Sequence, residues 1–433
     1  MKKYVHSART LVKRVLGNVP HSSPSIWEGY TRDALQLANA VDCPPDQLLR
    51  LQQHPERIAP IVENRVCHWY LPYFDNPFYG GVMTILRLAE YLQREYGVKQ
   101  RFLICGAARE SEISSHLTRA FPSLAAAEVI ILDSAQAIAN VPPSDYSVAT
   151  LWTTAYVLLG VENTGYKFYM MQDFEPAFYP AGSTYAQAEL TYSFGFYCIC
   201  NTQTLKEIYE NDYGGCGVVL QPSIDKAIFF EKKQEKPAQV KRLFYYARPG
   251  TPRNGFELAA TALSQLKCKY GDALDIVCAG TGWKPADYGL ENTVRSVGLL
   301  PYAETGELYR SCTVGFVMMM TKHPSYLPFE LMACGTTVVT NYNQANTWLL
   351  KDGVNCLLSP PSASCLAATL SYALDNDEAL VPMRQAAAQY IVSTLDGWDI
   401  SLKRVTEFMF NPPPHFQKQL PPAMNFVGIR GLL

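Results

Sequence analysis

The residues of this chain that could do chemistry gather at a few turns. Arg248 and Arg253 stand either side of Pro249-Gly250-Thr251-Pro252, between an apolar run and a helical pattern. A guanidinium fork gives a phosphate two parallel charged hydrogen bonds, so this turn suits a phosphorylated ligand; arginines simply solvated on a loop are the alternative. Tyr79-Gly80-Gly81 precedes another helical pattern. Glycines there let backbone N–H groups approach an anion at a helix N-terminus, or they make only a tight turn. Ala279-Gly280-Thr281-Gly282-Trp283 follows a strand pattern, but the third glycine of a dinucleotide fingerprint would fall at 285, which is Pro285. Gly280 and Gly282 are therefore read as a strand-to-loop turn beside a ligand, not as an NAD site.

Glu330 lies in the first turn of a short apolar helix that Pro328 can open and Gly335 can close. Its carboxylate either favours the helix dipole or meets a ligand hydroxyl. Its place directly after His323-Pro324-Ser325-Tyr326 favours the second. Asp375-Asn376-Asp377, a D-x-D-like run at the end of a polar helix, reads as solvated surface. No metal site is expected, and no cofactor.

These turns need elements to hold them. Short apolar runs separated by helical patterns place strands at 65–72, 100–106, 128–133, 148–154, 166–173, 196–202 and 217–222. A second series follows at 242–248, 274–280, 294–300, 314–320, 336–341 and 355–359. Helices are expected at 82–96, 202–211, 255–269, 302–311, 328–335, 362–375 and 379–395. Strands alternating with helices make a mostly parallel sheet covered on both faces. The chain is thus α/β, with two Rossmann-like domains facing a cleft, at 61–224 and 241–398, and a polar linker at 225–240. Residues 1–60 form a helical extension, and 399–433 a C-terminal helix and a Pro-rich tail. Open α/β sheets bind ligands outside the carboxyl ends of their strands.

The chain has 433 residues, 48% hydrophobic and 18% charged, which is ordinary for a packed protein and excludes wholesale disorder. The net charge of −2 weighs against nucleic acid as a partner. No run of about 18 apolar residues is present to span a membrane, and no apolar segment near Met1 reads as a secretory signal. The twelve cysteines sit mostly in apolar runs without CxxC spacing, which suggests core thiols in a reducing cytoplasm. Cys198 and Cys200, two apart on a strand, share one face and read as core packing.

The N-terminus is different. Tyr4, Val5, Ala8, Leu11, Val12, Val15 and Leu16 fall within about 140° of a helical wheel, and Lys2, Lys3, Arg9, Lys13 and Arg14 lie opposite, with no acid. Residues 2–16 form a helix either for an anionic membrane surface or for docking on protein. The first reading places the chain peripherally on the inner face of the cytoplasmic membrane.

Several motifs together resemble a known family. Glu330-Leu-Met-Ala-Cys-Gly-Thr-Thr-Val-Val-Thr-Asn resembles the donor-site signature of GT-B glycosyltransferases of family 4. Arg248…Arg253-Asn-Gly resembles their phosphate-binding basic pair, and Gly80-Gly81 their first-domain glycine loop. Gln172-Asp173-Phe174-Glu175-Pro176-Ala177-Phe178-Tyr179-Pro180 and His323-Pro324-Ser325-Tyr326 look like WsaF-like bacterial rhamnosyltransferases. The resemblance covers about 65 to 410. One position departs from it: much of family 4 has a second glutamate eight residues before Glu330, where this chain has Lys322.

The resemblance implies a hexosyl transfer with retention, from a nucleotide sugar to a growing surface polysaccharide or a lipid-linked glycan, without a metal. dTDP-rhamnose is the donor it points to. Arg248, Arg253 and backbone N–H groups near Ser325 and Tyr326 would stabilise the leaving diphosphate. Glu330 would hold a ribose hydroxyl, with Gly80, Gly81, Gly280, Gly282 and His323 lining the donor site. Asp173 or Glu175 would orient or deprotonate the acceptor hydroxyl, unless they serve as caps or ion-pair partners. A GT-B sugar-nucleotide epimerase and a non-catalytic glycan- or membrane-binding scaffold are the competing readings.

Overall fold

The structure is a computed structural model that describes residues 35–45, 47, 65–231, 240–395 and 397–414. The amphipathic helix expected at 2–16, most of the 1–60 extension, linker residues 232–239 and the tail from 415 lie outside the described residues. Residues 35–40 are helical.

The first sheet contains β1 (Val66–Pro72), β2 (Lys99–Cys105), β3 (Glu128–Leu132), β4 (Ser144–Ala149), β5 (Thr164–Met171), β6 (Tyr197–Cys200) and β7 (Cys216–Val219). All are parallel, in the order β3-β2-β1-β4-β5-β6-β7. The second contains β8 (Lys241–Tyr246), β9 (Leu274–Ala279), β10 (Arg295–Ser296), β11 (Val314–Val317), β12 (Thr337–Asn341) and β13 (Leu357–Ser359). These are parallel in the order β10-β9-β8-β11-β12-β13. Each order reverses once, between β1 and β4 and between β8 and β11. Successive loops leave in opposite directions there and open a crevice at the strands' carboxyl ends.

Central strands of such sheets are covered on both faces, which is why β1 reads as an unbroken Cys-His-Trp-Tyr-Leu run, all of it buried. Cys198 and Cys200 are buried on β6 with Sγ atoms 3.0 Å apart.

The fourth strand lies earlier than its apolar run suggests. β4 covers Ser144–Ala149, and Trp152–Leu159 is a helix. A continuous apolar stretch has no periodicity to separate a buried strand from a buried helix. Within the expected linker, Phe229 is buried and stacked on Tyr309 at 5.9 Å, while Lys226, Ala227, Phe230 and Glu231 are exposed. One further expectation changes. Asp377 is not merely solvated, because its carboxylate pairs with Arg384, which is buried.

The helix Trp398–Phe410 packs on the first sheet, not the second. Leu402, Val405 and Met409 of the helix Trp398–Phe410 join the first sheet's core. Phe410 stacks on Tyr146 at 5.5 Å, and Tyr197 donates its hydroxyl to the Pro413 carbonyl at 2.6 Å. This return places Trp398 beside the crevice. Among the described residues no helix is long and apolar enough to cross a membrane.

Candidate active site

The carboxyl ends of both sheets wall a cavity of about 440 Å³. Gly80 and Gly81 open the helix Gly80–Tyr96 on one side. Their need is for close approach. A Cβ on Gly80 would stand 3.1 Å from the Tyr326 ring, and one on Gly81 3.3 Å from Gln172 Nε2, which donates to the Gly81 carbonyl at 3.0 Å.

Arg248 leaves the end of β8 opposite that loop, its guanidinium carbon 6.0 Å from the centre of the Tyr79 ring. The turn closes through Thr251 N–H donating to the Arg248 carbonyl at 3.0 Å. Arg253 follows in the single turn Pro252–Asn254, its guanidinium 4.3 Å from the Phe178 ring of the first domain. Burial lowers the Arg253 pKa, and the nearby Asp173 charge works against that. Gly280 also lines the cavity, with φ +134°. A Cβ there would meet the Tyr246 ring at 2.7 Å and the Ala247 carbonyl at 2.9 Å, so only glycine fits. Gly282 has open space around it and does not line the cavity.

The two acidic candidates of the first domain separate. Asp173 lines the cavity; its Oδ2 accepts from Thr321 Oγ1 of the second domain at 2.5 Å and its Oδ1 from Phe174 N–H at 2.7 Å. Burial pushes its pKa up to about 6, opposed by those bonds and by Arg253. Glu175 takes the capping alternative that the sequence left open rather than a place at the acceptor hydroxyl. It does not line the cavity. Its Oε2 accepts Trp152 N–H at 2.6 Å and the Tyr169 hydroxyl at 2.8 Å, which serves the start of the Trp152–Leu159 helix. Burial pushes its pKa up to about 8.

The loop after β11 is shaped by Ser325, whose φ of +68° is the one positive value at a non-glycine among the described residues. That turn sends Ser325 N–H back to His323 Nδ1 at 3.0 Å. The imidazole is therefore neutral with its proton on Nε2, and burial drives its pKa down to about 4. The Ser325 N–H expected to face a diphosphate is thus already engaged. Lys322 is exposed and absent from the cavity wall, whereas the adjacent His323 is part of it.

Tyr326 crosses between the domains. Its hydroxyl lies 2.8 Å from Thr84 Oγ1 and accepts from Asn201 Nδ2 at 3.1 Å. Thr84 already donates to the Gly80 carbonyl at 2.8 Å, so the Tyr326 proton points to Thr84. Glu330 sits one turn into the helix Leu327–Ala333 and lines the cavity. Its carboxyl has no hydrogen bond among the described residues, and burial pushes its pKa up to about 8. Such a group can both donate to and accept from a ligand hydroxyl pair.

Thr84, Arg87, Asn201 and Trp398 also line the cavity, and none stands in a motif. Gly80, Thr84 and Arg87 have i, i+4, i+7 spacing, so helical periodicity from the glycine loop would have found the first two of these. Nothing local marks Asn201 or Trp398. Among the described residues no group of three or more His, Cys, Asp or Glu could hold a metal ion.

The pattern of the WsaF N-terminal domain matches residues 74–203, and that of the WsaF C-terminal domain matches residues 241–371. The chain is 40% identical over 425 residues to the O-antigen biosynthesis protein RfbC of Myxococcus xanthus, covering 96% of this chain and 33% of that protein. It therefore spans about a third of the length of this curated relative. Among solved structures, Alr3699/HepE of Anabaena in complex with UDP and glucose superposes with a TM-score of 0.61 at 16% identity, over 79% of this chain and 99% of that one. Sucrose-phosphate synthase of Thermosynechococcus elongatus gives 0.61 at 14%, over 79% and 98%. WaaG, a glycosyltransferase involved in lipopolysaccharide biosynthesis, gives 0.55 at 14%, over 80% and 100%. At these identities the structural likeness speaks for the fold, which is GT-B.

Proposed function

The chain belongs to the WsaF family and has the GT-B fold, and from that premise we propose that it is a glycosyltransferase of bacterial surface-polysaccharide assembly. It moves a hexosyl group, rhamnose from dTDP-rhamnose in our reading, onto a growing polysaccharide or lipid-linked glycan, with retention and without a metal. The observation that carries this is the convergence of Arg248, Arg253 and the unbonded Glu330 carboxyl on one cavity, facing the Gly80-Gly81 loop of the other domain. The relative's printed role in O-antigen biosynthesis and the UDP and glucose bound by HepE support the reading.

Breaking the donor's glycosidic bond leaves negative charge on the diphosphate and positive character on the sugar. Arg248 and Arg253 stabilise the first, as preorganised charged donors do in a cavity shielded from water. Glu330 holds the ribose hydroxyls. His323, neutral and rigid, stands beside the position where much of family 4 has its first glutamate, and lines the sugar end of the site. Asp173 takes the acceptor hydroxyl: a carboxylate with a pKa near 6 is mostly ionised at pH 7 and basic enough to accept a proton transiently.

A thermal-shift panel of nucleoside diphosphates tests the donor half, since a ligand at 100 times its Kd stabilises by about 2.7 kcal/mol. Wild-type protein should respond to dTDP, and Glu330→Gln should respond less. No response to any nucleoside diphosphate would remove the reading. For residues 2–16 we propose reversible docking on an anionic membrane. Full-length protein should sediment with anionic but not neutral liposomes, less so at high salt. Protein that ignores anionic liposomes at low salt makes that helix a protein-docking element.

A further inference from the structure

Arg87 is the cavity residue that the proposed chemistry leaves without a task. It lies on the helix Gly80–Tyr96, less than one turn beyond Thr84, and lines the cavity. Its guanidinium carbon is 4.8 Å from the centre of the Trp398 ring and 5.7 Å from that of Phe121. Two aromatic rings thus hold the planar group from different elements, a geometry that limits its rotation.

Six of the other described arginines, Arg94, Arg101, Arg109, Arg242, Arg295 and Arg384, are paired with carboxylates, and among the rest Arg248 and Arg253 share the cavity with Arg87. Arg87 holds none among the described residues, and its buried Nε has no hydrogen-bond partner. The Trp398 indole N–H beside it is likewise buried without a partner. Two adjacent donors in a cavity wall, one of them cationic, lack an acceptor. Leaving buried donors unpaired is costly unless a ligand supplies the missing oxygen.

The surroundings fix the sign of that ligand. Tyr302, Tyr326 and Glu330 share the cavity wall with Arg87, and the Arg87 charge works against the rise that burial imposes on the pKa of both phenols. Across the cavity Asp173 opposes the charge of Arg253. Of the three arginines in the wall, Arg248 and Arg87 are therefore left without a carboxylate partner, while the diphosphate of a nucleotide sugar brings two negative charges.

We propose that Arg87, held against Trp398, is an anion subsite contributed by the first domain, and that it takes a phosphate oxygen carried by one of the two substrates. The oxygen belongs either to the donor diphosphate or to a phosphate on the acceptor. In the first case one diphosphate held by Arg248 of the second domain and Arg87 of the first draws the two domains onto itself. This rests on the proposed nucleotide-sugar chemistry.

The test uses full-length Arg87→Met and Arg87→Lys with wild type as reference. Calorimetry with dTDP and UDP reads the donor arm; KM for one acceptor with and without its phosphate reads the other. Loss of one charged hydrogen-bond donor pair should weaken the phosphate-bearing ligand about tenfold or more in Arg87→Met. Arg87→Lys should recover part of that, because it keeps the charge and loses the fork. Binding of the parent nucleoside, which has no phosphate, should be unchanged; an equal loss there would mean a general structural effect and would overturn the proposal. A weaker diphosphate assigns the subsite to the donor. Unchanged diphosphate with a raised KM only for the phosphorylated acceptor assigns it to the acceptor. Wild-type values in both arms overturn it. Wild-type protein that binds no nucleoside diphosphate would instead defeat the proposed function, a distinct result.

Discussion

The Tyr326 hydroxyl stands 2.8 Å from Thr84 Oγ1, and through that bond a loop of the second domain holds the glycine-loop helix of the first. Asn201 donates to the same phenol at 3.1 Å, from the end of β6. The Thr321–Asp173 bond makes a second polar tie across the cavity. Residues that line the cavity and residues that tie the two domains are therefore partly the same.

Tyr326→Phe should show this. It removes a proton from Thr84 and an acceptor from Asn201 while keeping the ring against Gly80. We expect a stability loss of about 1–2 kcal/mol in chemical denaturation, together with weaker nucleoside diphosphate binding. Unchanged binding with reduced stability would separate the interdomain tie from the donor site.

Arg248→Ala should lose turnover rather than acceptor affinity. Removing one preorganised donor to a developing charge typically costs about 10²–10³ in kcat. Steady-state kinetics at saturating acceptor decides it: wild-type kcat would take Arg248 out of the mechanism.

Glu175 makes a prediction about pH and stability. Burial raises its pKa from 4.5 to about 8 on folding, so between those values the folded protein holds a proton that the unfolded chain has released. Stability contributed by the protonated form is full below about pH 4.5 and is lost as pH rises toward 8. Glu175→Gln keeps an oxygen for Trp152 N–H and cannot ionise. Its denaturation midpoint should fall less steeply than wild type between pH 5 and 8. Parallel pH profiles would show that Glu175 is not the group responsible.

Gly280→Ala and Gly282→Ala should differ. At Gly280 the φ of +134° and contacts of 2.7 and 2.9 Å leave no room for a Cβ, whereas Gly282 has nothing within 4 Å. We expect a cost of about 1–3 kcal/mol at 280 from backbone strain alone, and near-neutral behaviour at 282. Denaturation of the two variants compares them directly.

The architecture was legible because its signals are local. Doubly covered parallel strands must be continuously apolar, and helices between them must show a 3.6-residue period, so most of the thirteen strands fall where the runs predict. Arg248, Arg253, Gly80 and Glu330 were legible for a related reason: each lies in a strand-to-helix connection or in the first turn of a helix, and the fold carries such positions to the crevice.

What the sequence could not determine depends on contacts between distant segments. Asp173 and Glu175 are two residues apart with the same chemistry. Only packing sends one carboxyl to Thr321 and the cavity, and the other to Trp152 and Tyr169. Likewise Arg87 and Trp398 become neighbours because the helix Trp398–Phe410 returns to the first sheet's core through Leu402, Val405 and Met409. Periodicity marks which face of a helix is buried but not which surface buries it, and that choice was made by the tertiary structure.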